Sequence, residues 1–162
     1  MTLTAIPVVS AAAATRVIEA WLDELDLQEQ WGWRWQYCLA KVLRYQFGEH
    51  PATSDVIYFA HAASSPIKVG WSAEPVKRIA ALSSAVPYAP IVLVENQLRS
   101  DEQRLHALLG RFSKRRRPGV CEWYHPNSPV MSLAYRLANA AEWCLAERYR
   151  EPRIRKLRRS AA

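Results

Sequence analysis

From Ala12 onward apolar side chains return every three or four residues. Val17, Ile18, Trp21, Leu22 and Leu25 form one stripe, the spacing of an amphipathic helix. The residues before it, 1–10, read as a loose tail. A second stripe, Trp35, Leu39, Val42, Leu43 and Phe47, predicts another helix. Trp31, Trp33 and Trp35 alternate with Gly32 and Arg34 as a strand would. The helical period from Gln36 to Gln46 still favours a helix onset there. Gly48 to Ser54 interrupts the pattern and marks a boundary.

The period then shortens. Val56-Ile57-Tyr58-Phe59 is a β-branched and aromatic run, and Ile67-Lys68-Val69-Gly70-Trp71 alternates apolar with polar. Both read as strands, paired as a hairpin through Ala62 to Pro66. Pro75 stands near the first position of a helix that runs to about Ser83, stopped by Pro87 and Pro90. Ile91 to Glu95 is a third strand. Ser100, with Gln103 three residues on, has capping-box spacing for a helix that carries Leu105, Leu108, Leu109 and Phe112. Cys121 to Tyr124 is a short extended piece. Ser128-Pro129 opens a last helix with Val130, Leu133, Leu137, Ala141 and Cys144 on one face. A hairpin and a third strand interleaved with helices predict an α+β sandwich.

Charge sharpens the picture. The 162 residues carry a net charge of +7, unevenly spread: residues 1–75 balance at −3 and residues 76–162 at +10. Of 22 cations 17 are Arg, whose planar fork suits phosphate. A polyanionic partner is implied, nucleic acid before an anionic membrane. No apolar run reaches the roughly 20 residues of a membrane-spanning helix, and no basic residue precedes the mildly apolar start, so neither a membrane anchor nor a signal peptide is expected. Three widely spaced cysteines fit neither a disulfide framework nor a zinc ribbon. A cytoplasmic location is the expectation.

Most catalytic templates are missing: there is no GxSxG, HExxH or P-loop, and the four histidines have no ligand spacing. Asp101 and Glu102 are adjacent on a helix and point about 100° apart, so they cannot share a site. What remains is an ordered series: Tyr58, then Lys68 and Gly70, then Arg78, then Glu102 and His106. Glu102 and His106, four apart, share a helix face. A carboxylate can hold a hard cation such as Mg²⁺, an Arg can neutralise charge on a phosphate, and a phenol or imidazole can move a proton. Together these are the parts for metal-assisted phosphodiester cleavage.

That series resembles the GIY-YIG nuclease superfamily. Val56-Ile57-Tyr58-Phe59 matches the first half of its signature and Ile67-Lys68-Val69-Gly70 the second, with Lys68 where the second tyrosine stands. Arg78 and Glu102 fall where the family places its helix Arg and its metal-binding Glu. Glu102 to His106, Phe112 and Glu122-Trp123-Tyr124 are similar to the short, phage-associated branch with E-x-x-L-H and a closing E-W-[FY]. The resemblance covers roughly residues 55–125. It implies a small three-stranded antiparallel sheet flanked by helices, one Mg²⁺ or Mn²⁺ on Glu102, and Tyr58 and Arg78 at the scissile phosphate. Lys68 and His106 would be further catalytic groups. On this reading 1–54 is an N-terminal helical extension, 55–126 the nuclease-like domain, and 127–162 a C-terminal helix and basic tail.

Arg111, Lys114, Arg115, Arg116 and Arg117 put five cations into seven residues. They repel one another until an anion arrives, so they are candidates for sequence-independent phosphate binding. Three readings stay open. One is a metal-dependent endonuclease acting on DNA, with RNA as the alternative substrate. Another is a non-cleaving nucleic-acid-binding module of the same fold. The third is an interaction protein, a homo-oligomer built through the Trp-rich N-terminal helices.

Overall fold

A computed structural model of the chain describes residues 5–27, 45–84, 86–112 and 122–145. Their elements, in order, are β1 (Ala5–Val9), α1 (Ala11–Leu27), β2 (Val56–His61), β3 (Ile67–Ser72), α2 (Pro75–Leu82), β4 (Ala89–Glu95), α3 (Arg99–Leu109), a 3-10 turn (Gly110–Phe112), β5 (Trp123–Tyr124), α4 (Pro129–Asn139) and β6 (Glu142–Leu145). The class is α+β, as expected. The sheet is larger than expected: six strands in the order β5-β3-β2-β4-β1-β6. The three predicted strands are its antiparallel middle, β3-β2-β4. Beyond them β1 runs parallel to β4, which makes the sheet mixed, while β6 and β5 add antiparallel strands at either side.

Two strands escaped the pattern. Residues 5–9, read as a tail, form β1, whose last four residues are all buried. A strand covered on both faces shows a continuous apolar run without alternation, and Pro7 speaks against a central strand. Pro7 is accommodated because it lies opposite Trp143 of β6, whereas the β4 pairing takes up only Val8 and Val9. The last predicted helix also ends early. It stops at Asn139, and Ala141 and Cys144, assigned to its face, lie outside it, Cys144 within β6. The helical spacing continues past Asn139, but pairing with β1 overrides local propensity. In addition, α3 starts at Arg99 rather than after Ser100. Its capping carboxylate is Asp101, whose Oδ2 accepts from Leu98 N–H at 2.8 Å. Of the second predicted helix, Tyr45 to Phe47 is irregular chain. Its remainder, with the Trp31, Trp33 and Trp35 cluster, lies outside the described residues.

Helices cover both faces of the sheet. Ile57, Phe59, Ile67, Val69, Val92 and Val94 point to the face that packs against α1, α3 and α4. Alternate residues of the same strands, Val56, Tyr58, Ala60 and Leu93, with Ile6 and Val8 of β1, meet Ile79 of α2 on the other. This is the two-fold alternation of strand side chains, and it decides that Tyr58 and α2 share a face. Trp21 ties α1 to α4 by donating from Nε1 to Pro129 O at 3.1 Å. The sheet takes strands from all three segments into which the sequence was divided.

Candidate functional site

β3 is where the site begins. Its ladder with β5 pairs only Ile67 and Lys68, so the donors further along face no strand. Val69 N–H reaches Glu122 O at 3.0 Å. Trp71 N–H donates to Glu102 Oε1 at 3.1 Å. The Glu102 carboxylate therefore occupies the place of a neighbouring strand's carbonyl. The turn into α3 aims it. Asn96 adopts φ 57°, a conformation Asn tolerates better than most residues, and accepts from Thr53 N–H through Oδ1 at 2.8 Å. Gln97, wholly buried, receives Trp71 Nε1–H on its backbone carbonyl at 2.9 Å, and its side-chain Nε2 donates to Gly48 O at 2.9 Å.

One helical turn on from Glu102, His106 Nε2 stands 3.4 Å from Glu102 Oε1. The other ring nitrogen, Nδ1, is 2.6 Å from the Tyr124 hydroxyl, and the two rings are stacked 6.0 Å apart at 10°. Tyr124 thus fixes which nitrogen faces the carboxylate. Burial pushes the Glu102 carboxyl upward, but His106, the Trp71 N–H and Arg99 outweigh it and hold it below the usual carboxylate range. Asp101 turns away, as the helix geometry requires. Its Oδ2 is 2.7 Å from His50 Nε2, and its Oδ1 accepts from Arg104 at 3.3 Å.

Tyr58 lies directly opposite Gly70. A Cβ at position 70 would stand 2.5 Å from the Tyr58 hydroxyl and 2.6 Å from Cζ, so the ring lies across the space a side chain would fill. Burial pushes the phenol above its ordinary value. Arg78, hydrogen-bonded to it from α2, acts in the opposite sense, and the charge of Glu102 adds to the rise. Tyr58 is therefore a protonated phenol at neutral pH. The Arg78 side chain itself is exposed.

Lys68 is buried, 3% exposed, and pairs with Glu122, whose side chain is 44% exposed. Its ammonium also lies 5.0 Å from the centroid of Trp123, within range of a cation–π contact. Glu122 in turn belongs with Glu102 and His106. One ligand atom each from Glu102, His106 and Glu122 falls within 4.8 Å of the others. Donor atoms about 2.1 Å from a common ion stand roughly 3 to 4 Å apart, so small side-chain adjustments would let these three hold one.

The structure thus pairs Arg78 with Tyr58 and His106 with Glu102, whose charge reaches Tyr58, and it joins Lys68 to Glu122. Arg111 lies on the 3-10 turn. Its side chain and the rest of the basic cluster, Lys114, Arg115, Arg116 and Arg117, lie outside the described residues, as does the basic tail. Two participants were not singled out as site residues, Glu122 and Tyr124. Both stand in the extended run noted after the basic loop, but nothing local reveals that this run pairs with the Lys68 strand. Comparison of the chain with family models, with curated proteins and with solved structures gives no match.

Proposed function

We propose that the protein is a divalent-metal-dependent endonuclease that hydrolyses phosphodiester bonds in DNA, of the GIY-YIG kind its motifs resemble. The observation that supports this best is the meeting of two groups. Glu102, His106 and Glu122 bring one donor atom each within 4.8 Å of the others, and the Glu102 charge also acts on Tyr58, to which Arg78 is hydrogen-bonded. The donor set fits Mg²⁺ or Mn²⁺, with Glu102 as the anchoring ligand. When bound, such an ion supplies Lewis acidity at a phosphate oxygen and acidity to a coordinated water. Arg78, exposed at the surface of α2, offers its fork to the scissile phosphate and neutralises charge that develops there. Tyr58 keeps its proton and acts by hydrogen bonding, toward an attacking water or a phosphate oxygen. Arg111 and Lys114 to Arg117 would grip the flanking backbone without reading bases. RNA offers the same phosphodiester and is the second candidate substrate.

The alternative, a module of the same fold that binds nucleic acid without cutting it, has one observation in its favour. The cluster is satisfied internally, with Lys68 on Glu122 and with Trp71 N–H and His106 on Glu102. Plasmid nicking with Mg²⁺ or Mn²⁺ separates the two. Wild type is expected to nick and Glu102→Gln to fail, because the amide keeps an acceptor for Trp71 N–H but loses the charge. Equal nicking by both would remove Glu102 from the chemistry. DNA retained in EDTA, with no nicking under any divalent ion, would select the binding module.

A further inference from the structure

Lys68 and Glu122 are unequal partners. The lysine is fixed: its strand lies inside the sheet, its side chain is 3% exposed, and its ammonium lies over Trp123. The carboxylate is 44% exposed on the short chain leading into β5, so its head can turn. It has two places to turn to, because it sits within reach of both the Lys68 ammonium and the donor atoms of Glu102 and His106. A monovalent cation and a divalent ion therefore have claims on one carboxylate.

We propose that Lys68 and the divalent ion exchange on Glu122. Without the ion, the ammonium holds the carboxylate. With it, Glu122 turns to complete a three-donor set with Glu102 and His106 Nε2, and the Lys68 ammonium meets the phosphate in its place. This rests on the metal-dependent reading above and goes beyond it by giving Lys68 a place in the loading of the site. A mixed set of one imidazole and two carboxylates suits Mn²⁺ better than Mg²⁺, which prefers oxygen donors and retains its waters. Tyr124 supports the set by occupying Nδ1, which leaves Nε2 for the ion. An ammonium that gives up a carboxylate in a buried position gains from a second anion. A substrate phosphate supplies one, so ion and substrate each favour the binding of the other, by the same factor in both directions.

The test is calorimetric titration of the full chain with Mn²⁺ in four forms: wild type, Lys68→Met, Glu122→Gln and the double variant. Lys68→Met removes the competing cation and is expected to tighten Mn²⁺ by of order tenfold. Glu122→Gln removes a ligand and is expected to weaken it by of order tenfold, within the span seen when metal surroundings are altered. In the Glu122→Gln background Lys68→Met should change affinity less than about twofold, because nothing is left to compete for. Equal tightening in both backgrounds would show a general field effect and overturn the exchange, as would an unchanged affinity in Lys68→Met. Should Lys68→Met fail to fold, Glu122→Gln decides alone, since its side chain is half in solvent. Unchanged Mn²⁺ affinity there, with wild type still nicking DNA, would sink the exchange and leave the nuclease reading standing. Absence of both Mn²⁺ binding and nicking in the wild type would remove both.

Discussion

Gly70 is the position where local packing and the candidate chemistry are most tightly joined. Replacing it with alanine places a Cβ 2.5 Å from the Tyr58 hydroxyl, 2.6 Å from Cζ and 3.0 Å from Cε1. Comfortable contact between such atoms needs about 3.5 to 4 Å, so the ring has to retreat by about 1 Å. Tyr58 is 1% exposed and packs with Ile6, Val8 and Leu93, which limits how far its ring can retreat. Overpacking of that kind costs about 1 to 3 kcal/mol. In a Tyr58→Ala background the obstacle is gone. There the same Gly70→Ala change is expected to stabilise by about 0.5 to 1 kcal/mol, because a strand glycine loses more chain entropy than alanine. The sign of the Gly70→Ala effect should therefore reverse, a coupling of about 1.5 to 4 kcal/mol between two residues paired across strands. Urea denaturation of the four chains of this cycle measures it. Equal destabilisation by Gly70→Ala in both backgrounds would refute the reasoning, since it would place the cost in the backbone rather than in the ring.

Two further predictions concern stability. Ile6 is fully buried between β1 and α2, so Ile6→Ala should cost about 2 to 5 kcal/mol. A loss under about 0.5 kcal/mol in urea melts would mean that residues 5–9 are the loose tail first expected. Glu102 lies below the usual carboxylate range in the folded chain. Its ionised form thus contributes stability that is complete above the unfolded value of about 4.3 and is lost as pH falls through the lower folded value. The advantage of wild type over Glu102→Gln in urea midpoint should shrink as pH falls below about 4.3. An advantage that grows as pH falls further below that value contradicts the assignment.

What the sequence displayed was the middle of the sheet and the order of the polar groups along it. Val56 to Phe59, Ile67 to Trp71 and Ile91 to Glu95 announce themselves because β-branched residues and period-two alternation are local properties, and Pro75 marks α2 in the same way. The four-residue spacing of Glu102 and His106 reads directly as one helix face. β1 and β6 stayed hidden because each becomes a strand only through partners far away in the chain. Ala5–Val9 has no alternation, and Ala141 to Leu145 extends the helical period of α4. Glu122 was quoted within a motif but not as a ligand, since its neighbourhood depends on β5 pairing with Lys68. Nor does any pattern disclose that Trp71 N–H would find a carboxylate instead of a strand.

The pairing of β1 with β6 has a consequence in time. Ala5 meets Leu145 and Val8 meets Glu142, residues some 140 positions apart. During synthesis β1 emerges first and stands without either neighbour, because β4 follows more than 80 residues later and β6 later still. At roughly 5 to 20 residues per second, an apolar strand waits several seconds or more for its partners. Contacts of such long range close slowly, because loop entropy has to be overcome before they form. The hairpin of β2 and β3, with partners close in the chain, is therefore the natural early structure. That hairpin already contains Tyr58 and Gly70 as cross-strand partners.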